Sequence, residues 1–269
     1  MATARTTPPP EEHHGEECKQ HKHSYHMLLD EAIISRHSTR VFRPEPVPDA
    51  VLRSALELAT HSPSNSNTQA WRLYIVTGPA LDRLKADLHK EASEGEAPNI
   101  PPLPEQFRPS RSELGRKIYG EGWGIPRGDA EARKEAVLRN FEFFGGPVGI
   151  IVCMSKELIG YAAMSIGSKF IDHMRIMMFH LSLKTIADLA YAKVYLQTFL
   201  LALTEQGVGS CVQVSIAGYR DVVRKAVGIA DDLEILCGVA VGYEDAEFNV
   251  NKVRIGRFAV EDTTSFVKD

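Results

Sequence analysis

The sequence has few cysteines, no long apolar run and no excess of positive charge, and each absence excludes a class of protein. Its four cysteines in 269 residues are too few and too widely spaced for the disulfide framework of a small secreted domain. No stretch reaches the roughly 18 uninterrupted apolar residues of a membrane span, and residues 1–25 lack the apolar core of a signal peptide. We therefore expect a cytoplasmic chain in a reducing compartment, without membrane association.

The charge balance argues against nucleic acid as a partner. Lysine and arginine total 31 against 35 acidic residues, for a net charge of −4, so the chain has no general attraction for polyanions. Anionic ligands would need local cationic pockets. Helical and strand patterns alternate along the chain without a strict βαβ rhythm, which predicts an α+β fold with a mixed sheet.

Composition divides the chain into a tail and one domain. Residues 1–24 are polar and rich in proline, glutamate and histidine, which predicts a disordered tail. The tail contains Cys and His residues, but no second cluster of such residues follows at the spacing of a metal site, so the pattern does not predict metal binding. Residues 25–269 form the predicted domain. Within it, residues 95–128 lack periodicity, which is typical of a lid or an excursion. The pattern also predicts helices over 130–144 and 195–206.

Three polar clusters carry the functional signal. Taken singly, each has an ordinary explanation, as an exposed basic helix end or as turn residues. Together, two cationic clusters and one cluster rich in hydroxyls and amides are better explained by a single phosphorylated planar cofactor than by three unrelated local features. Arginine binds phosphate through charge-assisted hydrogen bonds. The clusters are Arg36-His37-Ser38-Thr39-Arg40, the run Ser62–Trp71, and Asn251-Lys252-x-Arg254.

These motifs, in this order over roughly residues 25–257, resemble the FMN-dependent nitroreductase family. The segments 207–213 and 218–221 resemble its nitrobenzoate-reductase branch. The resemblance implies a three-layer fold, in which helices flank a central mixed, mainly antiparallel sheet. It also implies an intertwined homodimer with two FMN sites at the subunit interface.

The resemblance further implies a role for each site residue. Those implied to hold the ribityl phosphate are Arg36, Ser38, Lys252 and Arg254, with His37 in the same turn. Arg40 would lie at the N1 and O2 edge of the flavin ring, Asn140 near its polar edge, and the main chain of Ile216 to Gly218 near N5. The loop implied to reach the flavin of the partner contains Pro63, Ser64 and Asn65, ordered by Asn67 and Gln69.

The implied activity is hydride transfer from NADH or NADPH to FMN and then to a small aromatic or quinone acceptor, with ping-pong kinetics. Because the chemistry belongs to the cofactor, the protein needs no catalytic residue of its own, and His37 is better explained as part of the phosphate-binding turn than as a proton donor. Two alternatives stay open: an FMN-dependent reductive dehalogenase that closes residues 95–128 over an aromatic substrate, and a non-productive flavin-binding isoform.

Residues 168–194 interrupt the family pattern, since Gly167 would otherwise join Tyr195 directly. One interpretation is a genuine surface insertion, because its apolar residues are spaced like those of an amphipathic helix. The other is a translated intron. Ser168-Lys169-Phe170 can be encoded with the splice-donor sequence GTAAGT, and removal of 26 codons would restore the helix that begins at Tyr195.

Overall fold

A computed structural model describes residues 27–64, 67–95, 97–100, 102–157 and 184–268. The predicted tail, Asn65 and residues 168–183 lie outside the described residues. In chain order the helices and strands are α1 (Leu29–Ser35), α2 (Asp49–Thr60), β1 (Trp71–Thr77), α3 (Gly78–Glu94), α4 (Arg108–Gly115), α5 (Ala130–Leu138), β2 (Val148–Ser155), α6 (Lys184–Glu205), β3 (Gly209–Gln213), α7 (Arg220–Val227), β4 (Leu233–Gly242), α8 (Asn249–Lys252) and α9 (Val260–Thr263).

The described strands form one sheet in the order β1-β2-β4-β3, with every neighbouring pair antiparallel. Parallel pairing among the described residues is limited to one isolated bridge, between Ser38 and Ser210. Side chains alternate between the two faces of a strand. In β2, Ile150 and Val152 pack with α2 and α6, whereas Ile151 and Cys153 pack with α3 and α7. The predicted three-layer α+β fold is confirmed.

The helix predicted over residues 130–144 is wrong at its C-terminal end, because α5 ends at Leu138. Phe143 and Phe144 follow in a short 3₁₀ turn with φ of 51° and 52°, a left-handed conformation that bulky residues rarely adopt. Both rings are buried in the core on the α3 side of the sheet. Burial of two aromatic rings therefore outweighs the backbone strain that the turn imposes.

The segment 95–128 is more regular than its lack of periodicity predicted. It contains α4, followed directly by a π-helix over Arg116–Gly122. Ile118 of that π-helix is buried against Val41 and Val250, and a side chain at Gly122 would approach Val250 to 3.0 Å. The segment is thus packed beside the two cationic clusters.

Helix α6 begins at Lys184, well before the predicted start at Tyr195. Residues 184–194, the described end of the inserted segment, therefore continue the helix. The translated-intron interpretation stays a prediction, and the intact mass of the natural protein tests it. A natural, active, flavin-loaded chain that retains residues 170–193 would reject it. Among the described helices, none is both long enough and apolar enough to cross a membrane.

Candidate functional site

The first cationic cluster lies in an extended segment between α1 and α2. Ser38 bridges to Ser210 of β3, and alternate residues of an extended chain point to opposite sides. Arg36, Ser38 and Arg40 lie on the side of Cys211. Burial raises the pKa of that thiol, and Arg40, a hydrogen bond with Ser38, and Arg36 oppose the rise. The sequence spacing i, i+2, i+4 thus brings three predicted phosphate and flavin ligands together.

The other side of this segment is tied to the chain after β4. His37 Nε2 lies 2.7 Å from Glu244 Oε2, and His37 Nδ1 lies 2.8 Å from the carbonyl oxygen of Ser35. The Thr39 hydroxyl donates to the same Glu244 carboxylate at 3.3 Å. Both ring nitrogens of His37 lie near oxygen atoms of the protein, so the side chain ties the turn to the chain after β4.

Asn251 joins the first and third clusters. Its side chain is fully buried, and its Oδ1 accepts from the backbone N–H groups of Arg40 and Val41 at 2.7 and 3.3 Å. Its Nδ2 donates to the carbonyl oxygens of Val41 and Asp245 at 2.8 and 2.9 Å. A buried amide with all of these groups paired fixes the position of residues 40–41 relative to α8.

Four cations around this clamp face no described carboxylate. Lys252 donates to the carbonyl oxygen of Glu247, and Arg254 and Arg257 donate to carbonyl oxygens of their own segment. The pKa of Arg36 is lowered first by burial and second by the positive charge of Arg257. A group of cations without a described acid would be stabilised by an anion, so the site fits a phosphate dianion.

Two hydrogen bonds lie within the amide-rich loop. The Ser64 hydroxyl accepts from the Gln69 N–H at 3.1 Å, and Gln69 Nε2 donates to Asn67 Oδ1 at 3.2 Å. Asn67 and Gln69 both adopt positive φ, 53° and 45°. Pro63 is exposed, and Ser62 is anchored through its hydroxyl to Thr198 of α6 at 3.0 Å.

The structure does not bring this loop to the cationic cluster of its own chain. The loop leads into β1 at one edge of the sheet, whereas Cys211 lies in β3 at the other edge. Three inter-strand spacings separate these edges, at least about 14 Å. The Ser64 loop and the cationic cluster therefore lie toward opposite edges of the sheet of one chain.

Asn140 and Arg40 both line a cavity of about 920 Å³. The side-chain amide of Asn140 donates to the carbonyl oxygen of Val137, and its own carbonyl accepts from the buried Gln213 amide at 2.5 Å. Ile216 and Gly218 do not line this cavity. The Ile216 side chain is fully buried in the core, and Pro98 covers the α-carbon of Gly218. Neither is brought to the cavity.

Sequence reasoning missed two parts of the site. Arg257 was overlooked, although it lies three residues beyond the Asn251-Lys252-x-Arg254 motif. The cavity was missed as well, although the density of arginine between residues 108 and 127 was a visible signal. Within the described residues, no cluster of three or more His, Cys, Asp or Glu side chains could hold a metal ion.

Comparison with solved structures shows similar chains. The chain resembles the NADPH complex of the FMN-dependent nitroreductase NfnB from Mycobacterium smegmatis, with a TM-score of 0.72 and 28% identity over 89% of this chain and 97% of that chain. It also resembles the FMN- and NADPH-dependent NfnB from a Sphigopyxis strain, with a TM-score of 0.75 and 25% identity over 90% and 100% of the two chains.

Comparison with the sequences of curated proteins gives relatives of the same kind. A nitrobenzene nitroreductase from Ectopseudomonas oleovorans is 29% identical over 90% of this chain and 98% of its own length. A 4-nitrobenzoate reductase from Pseudomonas putida is 28% identical over 89% and 95%. The model of the nitroreductase family matches residues 33–243, which include the cluster at Arg36 and the sheet. Fold, motifs and sequence together show that this chain belongs to the nitroreductase family.

Proposed function

We propose that the protein is an FMN-dependent oxidoreductase that takes hydride from NADPH or NADH and reduces nitroaromatics or similar small electron-poor acceptors. The observation that carries the proposal is a set of four cations, Arg36, Arg257 and the exposed Lys252 and Arg254, with no described acid to neutralise them. Relatives named as reductases of nitrobenzene and of 4-nitrobenzoate support the acceptor class.

The residues of this chain would bind and orient the flavin. FMN supplies the hydride chemistry when bound, accepting two electrons and passing them on. Arg36, Lys252, Arg254 and Arg257 would hold its phosphate. Arg40, held in place by Asn251, would present a cation to the edge of the ring on which negative charge develops during reduction.

The protein would act as a homodimer. The loop containing Ser64 and the cationic cluster lie at opposite edges of the sheet, which supports the implied arrangement in which the loop reaches the flavin of the partner chain. Large apolar side chains are also exposed at both ends of the described chain, including Ile34 at 81%, Phe258 at 76% and Val267 at 93%. A partner that covers these residues would bury apolar area. Sedimentation that finds a flavin-loaded monomer would refute the dimer.

The proposed location is the cytoplasm. Cys153, Cys211 and Cys237 are buried free thiols, as a reducing compartment allows. Fractionation of the native host would test the assignment.

An absorbance spectrum tests the proposed activity. The purified protein should be yellow and should lose its flavin absorbance when NADPH or NADH is added without oxygen. Nitrobenzoate should then restore the absorbance. A colourless protein, or a yellow one that neither nucleotide bleaches, would refute the proposal. Faster reoxidation by a halotyrosine than by nitrobenzoate would favour the dehalogenase.

A further inference from the structure

The cavity of about 920 Å³ adjoins the proposed position of the flavin ring, because Arg40, assigned above to the edge of that ring, is one of its lining residues. Its other walls come from α4, the π-helix that follows it and α5. Tyr119, Trp123 and several aliphatic side chains give it apolar surface that suits a planar ring. The cavity is therefore the candidate site for the small aromatic acceptor of the proposed reaction.

The relatives of the chain do not decide whether that acceptor carries a charge. One relative is named for nitrobenzene, which is neutral, and another for 4-nitrobenzoate, which is an anion. Their identities to this chain are nearly equal, 29% and 28%, so sequence similarity favours neither class. The charge of the acceptor has to be inferred from the side chains around the cavity.

The lining of the cavity is cationic in a chain whose net charge is −4. Among the described lining residues, Glu113 is the one that carries a carboxylate. The described lining residues that carry a guanidinium group are Arg40, Arg108, Arg111, Arg116, Arg127 and Arg133. Arginine stays protonated throughout the physiological pH range, so this positive charge does not depend on pH.

Ion pairs neutralise only part of this charge. Two of the arginines, Arg108 and Arg116, pair with acids outside the described lining. Arg111 and Arg127 have no ion-pair partner in the part of the chain that the structure describes. Both are exposed, so they lie where the cavity meets solvent and where an entering molecule passes.

The two remaining arginines keep their charge as well. The guanidinium of Arg133 lies over the Tyr119 ring, 5.2 Å from its centroid, and a cation–π contact leaves the net charge in place. Arg40 donates to the carbonyl oxygen of Ser38 at 3.2 Å, which is a neutral acceptor. Four arginines without an acidic partner therefore oppose the single carboxylate of Glu113, and an anionic ligand would match this surplus.

We propose that this cavity selects acceptors that carry an anionic group, such as a carboxylate, over neutral acceptors of the same size, and that Arg111 and Arg127 determine this specificity. The assignment rests on the proposed oxidoreductase function and names the acceptor class for it. Exposed charges act over about 8–10 Å at ordinary salt, so two arginines at the opening raise the rate at which an anion enters without a fixed contact. An aromatic amino acid has no net charge, so the cavity would not favour it.

The test isolates the reaction with the acceptor. FMN-loaded protein is reduced anaerobically with one equivalent of dithionite, so that no nicotinamide is present, and is then mixed with 4-nitrobenzoate or 4-nitrobenzamide. In each case the nitro group takes up two electrons and two protons to give the nitroso compound and water. The amide group withdraws electrons more strongly than the carboxylate does, so intrinsic reactivity favours the amide. A faster reaction of the acid must therefore come from the protein.

The expected result is a charge preference that depends on salt and on the two arginines. At low salt the second-order rate constant for reoxidation of the flavin should be at least about threefold higher for the acid, and about 0.5 M NaCl should remove the difference. The double variant R111Q/R127Q should slow the acid by about threefold or more and leave the amide unchanged. Arg83 is an exposed arginine of α3 outside the described lining, and R83Q should behave like the wild type.

The outcomes separate this assignment from the proposed function. It is overturned if the acid reacts no faster than the amide at low salt, or if the double variant matches R83Q with the acid. It is also overturned if the double variant slows both acceptors equally, because the two arginines would then act through structure and not through charge. In all three cases the proposed function stands, since a nitroaromatic still reoxidises the flavin. A reduced flavin that neither acceptor reoxidises overturns both.

Discussion

Replacing Arg36 with alanine should weaken FMN binding and leave the flavin-free protein intact. Arg36 is half-buried, and both burial and Arg257 disfavour its charge. A charge-assisted contact contributes about 1.5–3 kcal/mol. Removal of Arg36 also frees Arg257 to approach the phosphate, so the net loss should lie at the lower end. About 1.5 kcal/mol corresponds to a roughly tenfold weaker Kd.

The assay is a titration of flavin-free protein with FMN, followed by quenching of flavin fluorescence. Riboflavin lacks the phosphate, so its affinity should be the same for Arg36→Ala and the wild type. Arg83→Ala serves as the matched control on α3. The flavin-free variant should melt at the wild-type temperature or slightly above it, since a buried and repelled charge has been removed.

Three results would refute this reasoning. Equal losses of affinity for FMN and riboflavin would show that Arg36 shapes the ring site and does not bind phosphate. An unchanged FMN affinity would show that Lys252 and Arg254 suffice without it. A large drop in the melting temperature of the flavin-free variant would contradict the cause assigned to the lowered pKa.

Three further predictions follow from the contacts of the site. Asn251→Ala should lower the free energy of unfolding in urea by about 3 kcal/mol, because four backbone groups lose a buried partner; a loss below about 1 kcal/mol would contradict the clamp. His37→Gln should leave the rate of flavin bleaching by NADPH within about threefold, whereas a proton donor would contribute about 10²–10⁴-fold. Burial raises the pKa of Cys153 and Cys237 to about 12 and also raises the pKa of Cys211. The three thiolates therefore form only at a pH above 9, the usual pKa of a cysteine thiol. At pH 8 Ellman's reagent should label none of the three in the folded protein and all three in urea, and prompt labelling of the folded protein would exclude this burial.

Local patterns determined the two central strands of the sheet and several of the helices. The apolar runs that predict β2 and β4 reflect central strands buried on both faces, a property that each strand carries in its own residues. The cationic cluster at Arg36 to Arg40 was likewise visible in the sequence, and its alternation along an extended segment, which places Arg36, Ser38 and Arg40 on one side, is local. The resemblance of the motifs to the nitroreductase family predicted FMN as the cofactor.

Only the tertiary structure decided which distant groups meet. The interaction between Arg36 and Arg257 brings together segments more than 200 residues apart in the sequence, and no local sequence pattern predicts it. The left-handed turn at Phe143 and Phe144 exists because core burial outweighs its strain, so propensity predicted helix there. The cavity between α5 and the segment 95–128 depends on where that segment docks. Sequence patterns report the environment of single residues, whereas these features depend on contacts that form only when the chain is packed.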